Sequence, residues 1–380
     1  MFNALPTVEL HRHFEAGLRP EMIAKLAEKN GITKVRTRAG VVLDEVDPQS
    51  PASIQAYYTR VGNGFKGPGG FARFIDSFGV PLQVLCTLED LQQAAFDQVV
   101  YLHEQGSLHT ELRGSPFSYQ ERIDAPIEEI LGALMAGAQQ AFDEHEASAT
   151  FIAAFSRQKG LSGAPHQPAT HQAPYIAAAA ATLHSEERPL GVDIAGFPED
   201  IYPPRLFAEA LAPAREACVP LTIHCGEQGA PPDFSASPPE LIVEAIEVLG
   251  ARRIGHGTSL MASASARSLV KERAVGIECC PVSNQIMGFV ERLEDHPLRS
   301  FLDEGLLASI ATDDPLMFGD FTNRSLLQRV QKAQGLDEAR LLKLASNGIE
   351  SAFVSDERRH WLRKTLENSI TSASGSVSSE

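Results

Sequence analysis

The stretch Pro220-Leu221-Thr222-Ile223-His224 is short and mostly apolar, and apolar residues at helical spacing follow it. These later residues are Leu241, Ile242, Ala245, Ile246 and Leu249. A buried strand followed by an amphipathic helix predicts one βα unit, in which the helix covers the outer side of a parallel sheet.

The same kind of segment recurs along the chain and predicts eight strands. They are Val8–His13, Leu108–Arg113, Thr150–Phe155, Gly191–Gly196, Pro220–His224, Arg253–His256, Val275–Cys280 and Leu307–Thr312. Most are followed by residues at helical spacing. Eight strands that alternate with helices predict an α/β fold, a (β/α)8 TIM barrel.

The regions outside this repeat predict the domain organisation. Residues 14–107 separate the first two strands, and we expect extra helices there and a lid that includes the glycine-rich Gly62–Gly70. We expect one barrel domain over residues 1–370. Residues 371–380 are rich in Ser and Gly without an apolar period, which predicts a disordered tail, and Gly160–Gln172 is predicted to be an exposed loop.

Composition excludes several classes of protein. Asp and Glu total 49 against 33 Lys and Arg, and a net charge of −16 argues against nucleic acid or an anionic membrane as partner. The five cysteines include no C-x-x-C pair, which predicts free thiols in a cytoplasmic protein. No uncharged stretch is long and unbroken enough to span a membrane, and no signal-peptide pattern opens the sequence. No feature predicts an oligomeric state.

Histidines and acids cluster at the ends of the predicted strands. They are His11, His13, His224, Glu227, His256, Asp313 and Asp314. Strand ends converge at the mouth of a parallel barrel, and His11-x-His13 places both imidazoles on one face of a strand. Imidazoles together with a carboxylate suit Zn²⁺. Each residue alone also has an ordinary interpretation, such as a buried histidine or a helix-capping aspartate.

Five ordered motifs resemble those of the adenosine/adenine deaminase family of metal-dependent hydrolase (amidohydrolase) barrels. They are Val8–Gly17 with its His11-Arg12-His13, His224-Cys225-Gly226-Glu227, Gly255-His256-Gly257, Cys280–Asn284 and Thr312-Asp313-Asp314-Pro315. The resemblance extends from about Leu5 to Phe318. It implies hydrolytic deamination of the 6-amino group of a purine nucleoside, giving a 6-oxopurine and ammonia.

The resemblance also implies a metal site. In the family, the corresponding residues bind one zinc ion with water in its open position. The implied ligands of one Zn²⁺ per chain are His11, His13, His224 and Asp313. Lys159 is the only lysine between Glu111 and Cys225 and is poorly placed to bridge two metals, which favours a mononuclear site.

Further roles follow from the same resemblance. His256 is similar to the residue that orients and deprotonates the water, and Asp314 to the one that positions the hydroxide and accepts a hydrogen bond on the purine N7 side. Glu227 resembles a protonated carboxyl that donates to purine N1, which requires a raised pKa. Gly196 resembles the glycine whose backbone N–H contacts N3.

Two departures from the family pattern affect the substrate. Phe197 and Pro198 follow Gly196 where an acidic pair is usual, and Phe197 is expected to line the pocket. Glu15 stands where an aspartate reaches the ribose 5′-hydroxyl. These differences favour adenosine or a 5′-modified adenosine such as 6-aminodeoxyfutalosine, as in an aminodeoxyfutalosine deaminase, with adenine as an alternative.

Other interpretations remain open. A catalytically silent zinc- and purine-binding barrel is expected to lack Glu227 or His256, whereas both are present. A hydrolase of cyclic amides is a third possibility. The Gly62-x-Gly64-x-x-Gly67 pattern matches a dinucleotide fingerprint, but Pro68-Gly69-Gly70 follows where a helix should begin. No Lys/Arg cluster lies near the motifs, which argues against a phosphorylated substrate.

Overall fold

A computed structural model of the chain describes residues 5–157, 172–227, 237–319 and 321–375. Within these ranges, eight parallel strands form one sheet in the order β1 to β8. Their bounds are β1 Thr7–His13, β2 Ser107–Gly114, β3 Ser148–Ser156, β4 Leu190–Ala195, β5 Leu221–Cys225, β6 Arg253–His256, β7 Gly276–Cys279 and β8 Leu307–Ile310. Each strand pairs with the next strand in sequence, and almost every residue in them is buried.

Backbone hydrogen bonds join the first strand to the segment after the last one. The His13 N–H donates to the Asp313 carbonyl at 3.0 Å, and the Asp313 N–H donates to the His11 carbonyl at 2.9 Å. These bonds bring the two ends of the sheet together at the C-terminal edge of the strands. The predicted TIM barrel is confirmed.

The strand bounds differ from the predicted ones by at most two residues. The clearest difference is at β8, which ends at Ile310 instead of Thr312. The Thr312 N–H and hydroxyl both donate to the carboxylate of buried Glu9, at 3.1 and 2.6 Å to Oε2. Because this side chain satisfies the backbone, the chain leaves the ladder and turns toward β1.

Helices surround the barrel. The described residues contain α1 Pro20–Lys29, α2 Pro51–Gly62, α3 Gly70–Ser77, α4 Gly79–Val84, α5 Leu88–Glu104, α6 Pro116–Gln120, α7 Ile127–His145, α8 Ala173–Leu183, α9 Ala212–Glu216, α10 Glu240–Glu247, α11 Ala264–Glu272, α12 Pro281–Ile286, α13 Leu298–Asp303, α14 Pro315–Phe318, α15 Asn323–Gln334, α16 Glu338–Ser351 and α17 Asp356–Gly375. Short 3₁₀ helices lie at Pro204–Phe207, Thr258–Ala262 and Leu293–Asp295.

Helices α1 to α5 lie between β1 and β2, so the extra helices expected in residues 14–107 are present. In the glycine-rich segment, Phe65 is buried and its ring packs edge-on against Phe74 of α3 at 5.5 Å and Phe318 of α14 at 6.4 Å. Through Phe65, the segment therefore packs against α3 and α14. Movement of this segment as a lid stays a prediction.

The predicted tail boundary at residue 371 is wrong, because α17 continues through Gly375. The side chain of Ile370 packs on a small cluster of apolar residues, and no proline follows it, so helical hydrogen bonding can propagate past the last apolar contact. Residues 376–380 lie outside the described residues. So do Lys159 and the predicted loop Gly160–Gln172, apart from Gln172 itself.

Across the described ranges, no single helix combines the length and apolar character needed to cross a membrane. Two consecutive segments, Gly70–Val84 and Leu88–Glu104, reach that length and apolar composition only when taken together, and they are bent by 112° relative to each other.

Candidate active site

Four potential metal ligands meet at the C-terminal edge of the barrel. His11 and His13 lie on β1, His224 lies on β5 and Asp313 follows β8, and one ligand atom of each lies within 4.8 Å of the others. His13 Nε2 lies 3.3 Å from His224 Nε2, and Asp313 Oδ1 lies 3.3 Å from His11 Nε2. The structure thus brings together all four residues that the sequence predicted as ligands.

The chemistry of this cluster suits a cation. His11 Nε2 and Asp313 Oδ1 are buried without a hydrogen-bond partner, although buried polar atoms are otherwise almost always paired. Burial lowers the pKa of His13 to about 3 and also lowers the pKa of His224, which keeps these imidazoles neutral. Neutral imidazole nitrogens and a carboxylate oxygen are the donors that Zn²⁺ accepts.

Buried carboxylates orient two of the imidazoles from behind. Glu278 Oε2 lies 2.6 Å from His11 Nδ1, and Asp193 Oδ2 lies 2.9 Å from His224 Nδ1. Arg113 donates to both carboxylates, at 2.8 and 3.0 Å. With Nδ1 engaged, each ring turns its Nε2 toward the centre of the cluster.

Sequence reasoning missed Glu278, Asp193 and Arg113. Glu278 and Asp193 are charged residues within otherwise apolar predicted strands, and that contrast was the available signal, whereas Arg113 lies in a strand that also contains His109, Thr110 and Glu111. The partner of each residue lies on another strand, so the sequence could not pair them.

Glu227 lies directly after β5 and is buried beside the cluster. Burial raises the pKa of Glu227 well above the ordinary carboxyl value, and the negative charges of Asp313 and Glu199 raise it further. Burial therefore favours the neutral carboxylic acid, the form of the side chain that can donate a proton.

A chain of hydrogen bonds from His296 through Asn284 orients Glu227 and His256. The sequence reasoning also missed His296. His296 Nδ1 accepts the Leu298 N–H at 3.1 Å, so in the neutral ring Nε2 carries the proton toward Asn284 Oδ1, 3.2 Å away. The Asn284 amide then points Nδ2 at Glu227 Oε1 at 3.0 Å and at His256 Nδ1 at 3.1 Å. Asn284 thus orients both groups.

Asp314 precedes α14, but its side chain makes no capping hydrogen bond to that helix. It is buried and lines the same cavity as Glu227 and His256. Burial, together with the negative charge of Asp313, raises the pKa of Asp314 well above its ordinary value. The alternative interpretation of Asp314 as a helix cap is therefore not supported.

A cavity of about 460 Å³ opens above these groups. Its floor includes His13, Glu227, His256 and Asp314, and Phe197 and Glu15 also line it. Seven phenylalanines also line the cavity, a set called here the aromatic wall: Phe71, Phe74, Phe78, Phe117, Phe155, Phe197 and Phe289.

Gly196 also lines the cavity and has φ of +88°, in the left-handed region. A Cβ at this position would lie 2.8 Å from Ser156 Oγ, which is closer than real contacts allow. The positive φ and the lack of space beside Ser156 therefore favour glycine at residue 196.

The outer part of the cavity is polar. Arg38 is the one lysine or arginine among the described lining residues, and its Nη2 donates to Glu121 Oε1 at 2.8 Å. Asp76 and Glu15 add further carboxyl groups to the lining. The cavity therefore offers a bound anion little positive charge beyond one arginine that is already paired.

A parallel (β/α)8 barrel with histidines and carboxyl groups gathered at its C-terminal mouth defines the class of amidohydrolase-type, metal-dependent hydrolases. Within that class, the chain belongs to the adenosine deaminase family: the family model described as Adenosine deaminase matches residues 6–369. The family is one of hydrolases acting on C–N bonds and on small purine substrates, and the chain is such an enzyme. The resemblance inferred from the sequence motifs is confirmed.

Similar proteins agree with this assignment. The chain is 30% identical over 358 residues to a protein named adenosine deaminase from Edwardsiella ictaluri, with 94% of this chain and 96% of that protein covered. It is 25% identical to the crystal structure of an adenine deaminase from Arthrobacter aurescens, at a TM-score of 0.78 and with 97% and 100% covered. An amidohydrolase from Burkholderia ambifaria with bound Zn shares the fold, at 22% identity, a TM-score of 0.76 and coverage of 100% and 94%.

Proposed function

We propose that the chain is a zinc enzyme that removes the 6-amino group of adenosine, or of a 5′-modified adenosine such as 6-aminodeoxyfutalosine. The products are the 6-oxopurine nucleoside and ammonia. The observation that carries this proposal is the position of Glu227, a buried carboxyl of raised pKa, beside the four-ligand cluster and in the lining of one cavity.

We assign one Zn²⁺ per chain to His11, His13, His224 and Asp313. The unpaired His11 Nε2 and Asp313 Oδ1 support this assignment, as do the carboxylates behind His11 and His224. Bound there, zinc would supply a water molecule of lowered pKa as the nucleophile.

The residues of the chain have defined tasks in this reaction. Glu227 donates its proton to purine N1, which reduces the double-bond character between N1 and C6 and opens C6 to attack. His256 and Asp314 orient the attacking water and move its proton. The Gly196 N–H binds N3 and Phe197 packs on the base, while Glu15 binds the sugar or the group that replaces it.

The cavity lining supports an uncharged substrate. A 5′-phosphate in the outer part would have to displace Glu121 from Arg38 and would still meet the carboxyl groups of Glu15 and Asp76. The aromatic wall and the volume of about 460 Å³ instead suit a purine with an additional apolar or sugar group.

Adenine is the second candidate substrate. The similarity to the solved adenine deaminase favours it, since that structure covers nearly the whole chain at 25% identity. The silent-barrel alternative has no such support, because the acid, the ligands and His256 all lie at the same site.

A substrate panel tests the proposal. Zinc-loaded protein is incubated with adenosine, 6-aminodeoxyfutalosine, adenine and AMP, and loss of the adenine absorbance and release of ammonia are followed. We expect turnover of at least one uncharged aminopurine and much slower turnover of AMP. Absence of turnover with every compound, at one zinc per chain, would exclude the proposed reaction.

The metal assignment has its own test in His13→Ala. Removing one of four ligands from a buried site weakens metal binding, so zinc content after dialysis and activity are expected to fall together. His360 is exposed and provides the control His360→Ala, which should retain both. Stoichiometric zinc in His13→Ala would show that the ligand assignment is wrong.

We also propose a cytoplasmic location. In support of it, the five cysteines are all free thiols, and Cys225, Cys279 and Cys280 are buried.

A further inference from the structure

The turn that carries Glu227 is held by a second glutamate. Glu199 is buried and lies between β4 and β5. Its carboxylate accepts the Gly226 N–H at 2.7 Å, the Glu227 N–H at 3.3 Å and the Ser237 hydroxyl at 2.5 Å. One side chain thus binds two consecutive amides of the turn. It also binds Ser237, which lies farther along the connection between β5 and β6.

An arginine binds a backbone carbonyl next to the same turn. Arg157 is fully buried and donates to the carbonyl of His224 and, at 2.9 Å, to the carbonyl of Tyr202. Burial raises the pKa of Glu199, and the positive charge of Arg157 opposes that shift. The backbones of His224 and Glu227 are therefore held by two buried side chains, Arg157 and Glu199.

The remaining polar groups of the turn are occupied by the next βα connection. The Gly226 carbonyl accepts the Thr258 hydroxyl and the Ser259 N–H, both at 2.9 Å, and the Cys225 carbonyl accepts the Gly257 N–H at 3.1 Å. The turn cannot shift without breaking several buried hydrogen bonds.

We propose that Glu199 and Arg157 are positioning residues of the deamination reaction. They fix the backbone from His224 to Glu227, and this fixes the distance between the metal ligand and the proton donor. The inference rests on the proposed function. Neither residue is among those that line the cavity, so we assign them to the geometry of the reacting groups and not to substrate binding.

The variant Glu199→Gln tests this assignment. An amide keeps the size of the side chain, but its NH2 group cannot accept any of the three donors that face Glu199. We expect kcat to fall about tenfold or more while KM changes less than about threefold. Zinc per chain should be unchanged. The exposed Glu209, in the same connection between strands, provides the control Glu209→Gln, which should match the wild type.

Two further variants keep the test decisive if Glu199→Gln folds poorly. Ser237→Ala removes one donor to Glu199 and leaves both amide contacts, so a loss in kcat of about two- to fivefold is expected. Arg157→Lys keeps the positive charge but cannot contact the carbonyls of His224 and Tyr202 together. For this variant too, kcat is expected to fall while KM stays constant.

The outcomes separate the two proposals. If the wild type deaminates an aminopurine and Glu199→Gln has the same kcat, the positioning role is excluded and the proposed function stands. A loss of kcat that merely parallels loss of zinc and of thermal midpoint would also exclude it, since that is the result of a purely structural role. A wild type that turns over no aminopurine would remove the proposed function and this inference with it.

Discussion

Glu227 illustrates how the surroundings of a residue set its chemistry. A carboxyl group in water is ionised at neutral pH, whereas Glu227 is buried beside Asp313, which raises its pKa far above the ordinary value. Asp313, by contrast, lies 3.3 Å from His11 Nε2, and despite its burial this interaction holds the pKa of Asp313 well below the ordinary value. Two neighbouring carboxyl groups therefore have opposite pKa shifts, which suit the proposed roles of Glu227 as acid and Asp313 as anionic ligand.

The substitution Glu227→Gln removes the transferable proton but keeps the shape of the side chain. We expect kcat to fall by a factor on the order of 10² to 10⁴, the range for loss of a general acid, with zinc retained. Steady-state kinetics and metal analysis measure both. Glu247→Gln on the exposed face of α10 is the matched control. Activity close to the wild-type value would remove Glu227 from the mechanism.

The same pair of proteins reports the pKa through stability. Because the pKa of Glu227 is raised on folding, its contribution to stability is complete below the ordinary carboxyl pKa and is lost as pH rises to the folded value. The amide side chain that replaces Glu227 in the variant does not titrate. The thermal midpoint of the variant, relative to that of the wild type, should therefore increase from pH 5 to pH 8, measured with both proteins zinc-loaded. A difference independent of pH would contradict the raised pKa.

Sequence reasoning at this scale found the residues whose type alone suggests chemistry. His11, His13, His224 and Asp313 stand at strand ends, where a barrel gathers them. The supporting residues could not be found in that way. His296, for example, acts through Asn284, and only the fold shows that contact.

At the scale of elements, β6 passes close behind the proposed metal ligands His11 and His224. A Cβ at Gly255 would lie 2.9 Å from His11 Cε1 and 3.2 Å from the His224 Cα. Neither atom can retreat freely, since Glu278 holds the His11 ring and β5 holds the His224 backbone. A glycine in the middle of this strand is thus required by space, at the usual cost in strand propensity.

The variant Gly255→Ala should therefore displace the His11 ring. We expect lowered zinc affinity and, in parallel, lowered activity, measured by competition with a chelator and by kinetics. Gly132 on α7 has open space around the position of a Cβ, so Gly132→Ala is the control and should be neutral or slightly stabilising. Equal zinc affinity in Gly255→Ala and Gly132→Ala would show that β6 can shift to accommodate the added methyl group.

Elements were predicted well where local pattern decides them. All eight strands lie within two residues of their predicted bounds, since apolar runs between helices are a local signal. Ends set by distant partners were missed: β3 begins at Ser148, whose hydroxyl lies 2.8 Å from His109 Nδ1 on β2. The five helices of the first connection were expected only as a group, because their order depends on packing over the barrel mouth.

At the scale of the whole molecule, a layer of buried charges below the metal ligands links the barrel to the C-terminal region. Arg253 donates to Glu111 on β2 and, at 2.5 Å, to Glu278 on β7. Glu111 also accepts the Phe353 N–H at 2.6 Å, and the Arg253 guanidinium lies 3.5 Å from the centre of the Phe353 ring. The sequence could not predict this layer, because its members come from four separate parts of the chain.

Within this layer Glu278 also orients His11, whereas Glu111 should contribute to folding and not to chemistry, and Glu111→Leu tests this expectation. Removing one partner leaves the buried Arg253 undercompensated and the Phe353 N–H unpaired, and the free energy of unfolding should fall by roughly 3–5 kcal/mol. The exposed pair of Arg363 with Glu350 provides the contrast, since Glu350→Gln should cost at most about 1 kcal/mol. Denaturant unfolding measures both variants.

Because Glu111 does not contact a proposed metal ligand, zinc content and kcat of the folded variant should equal those of the wild type. Similar small losses in both variants, or a loss of zinc in Glu111→Leu alone, would show that Glu111 does not act as a structural link separate from the site.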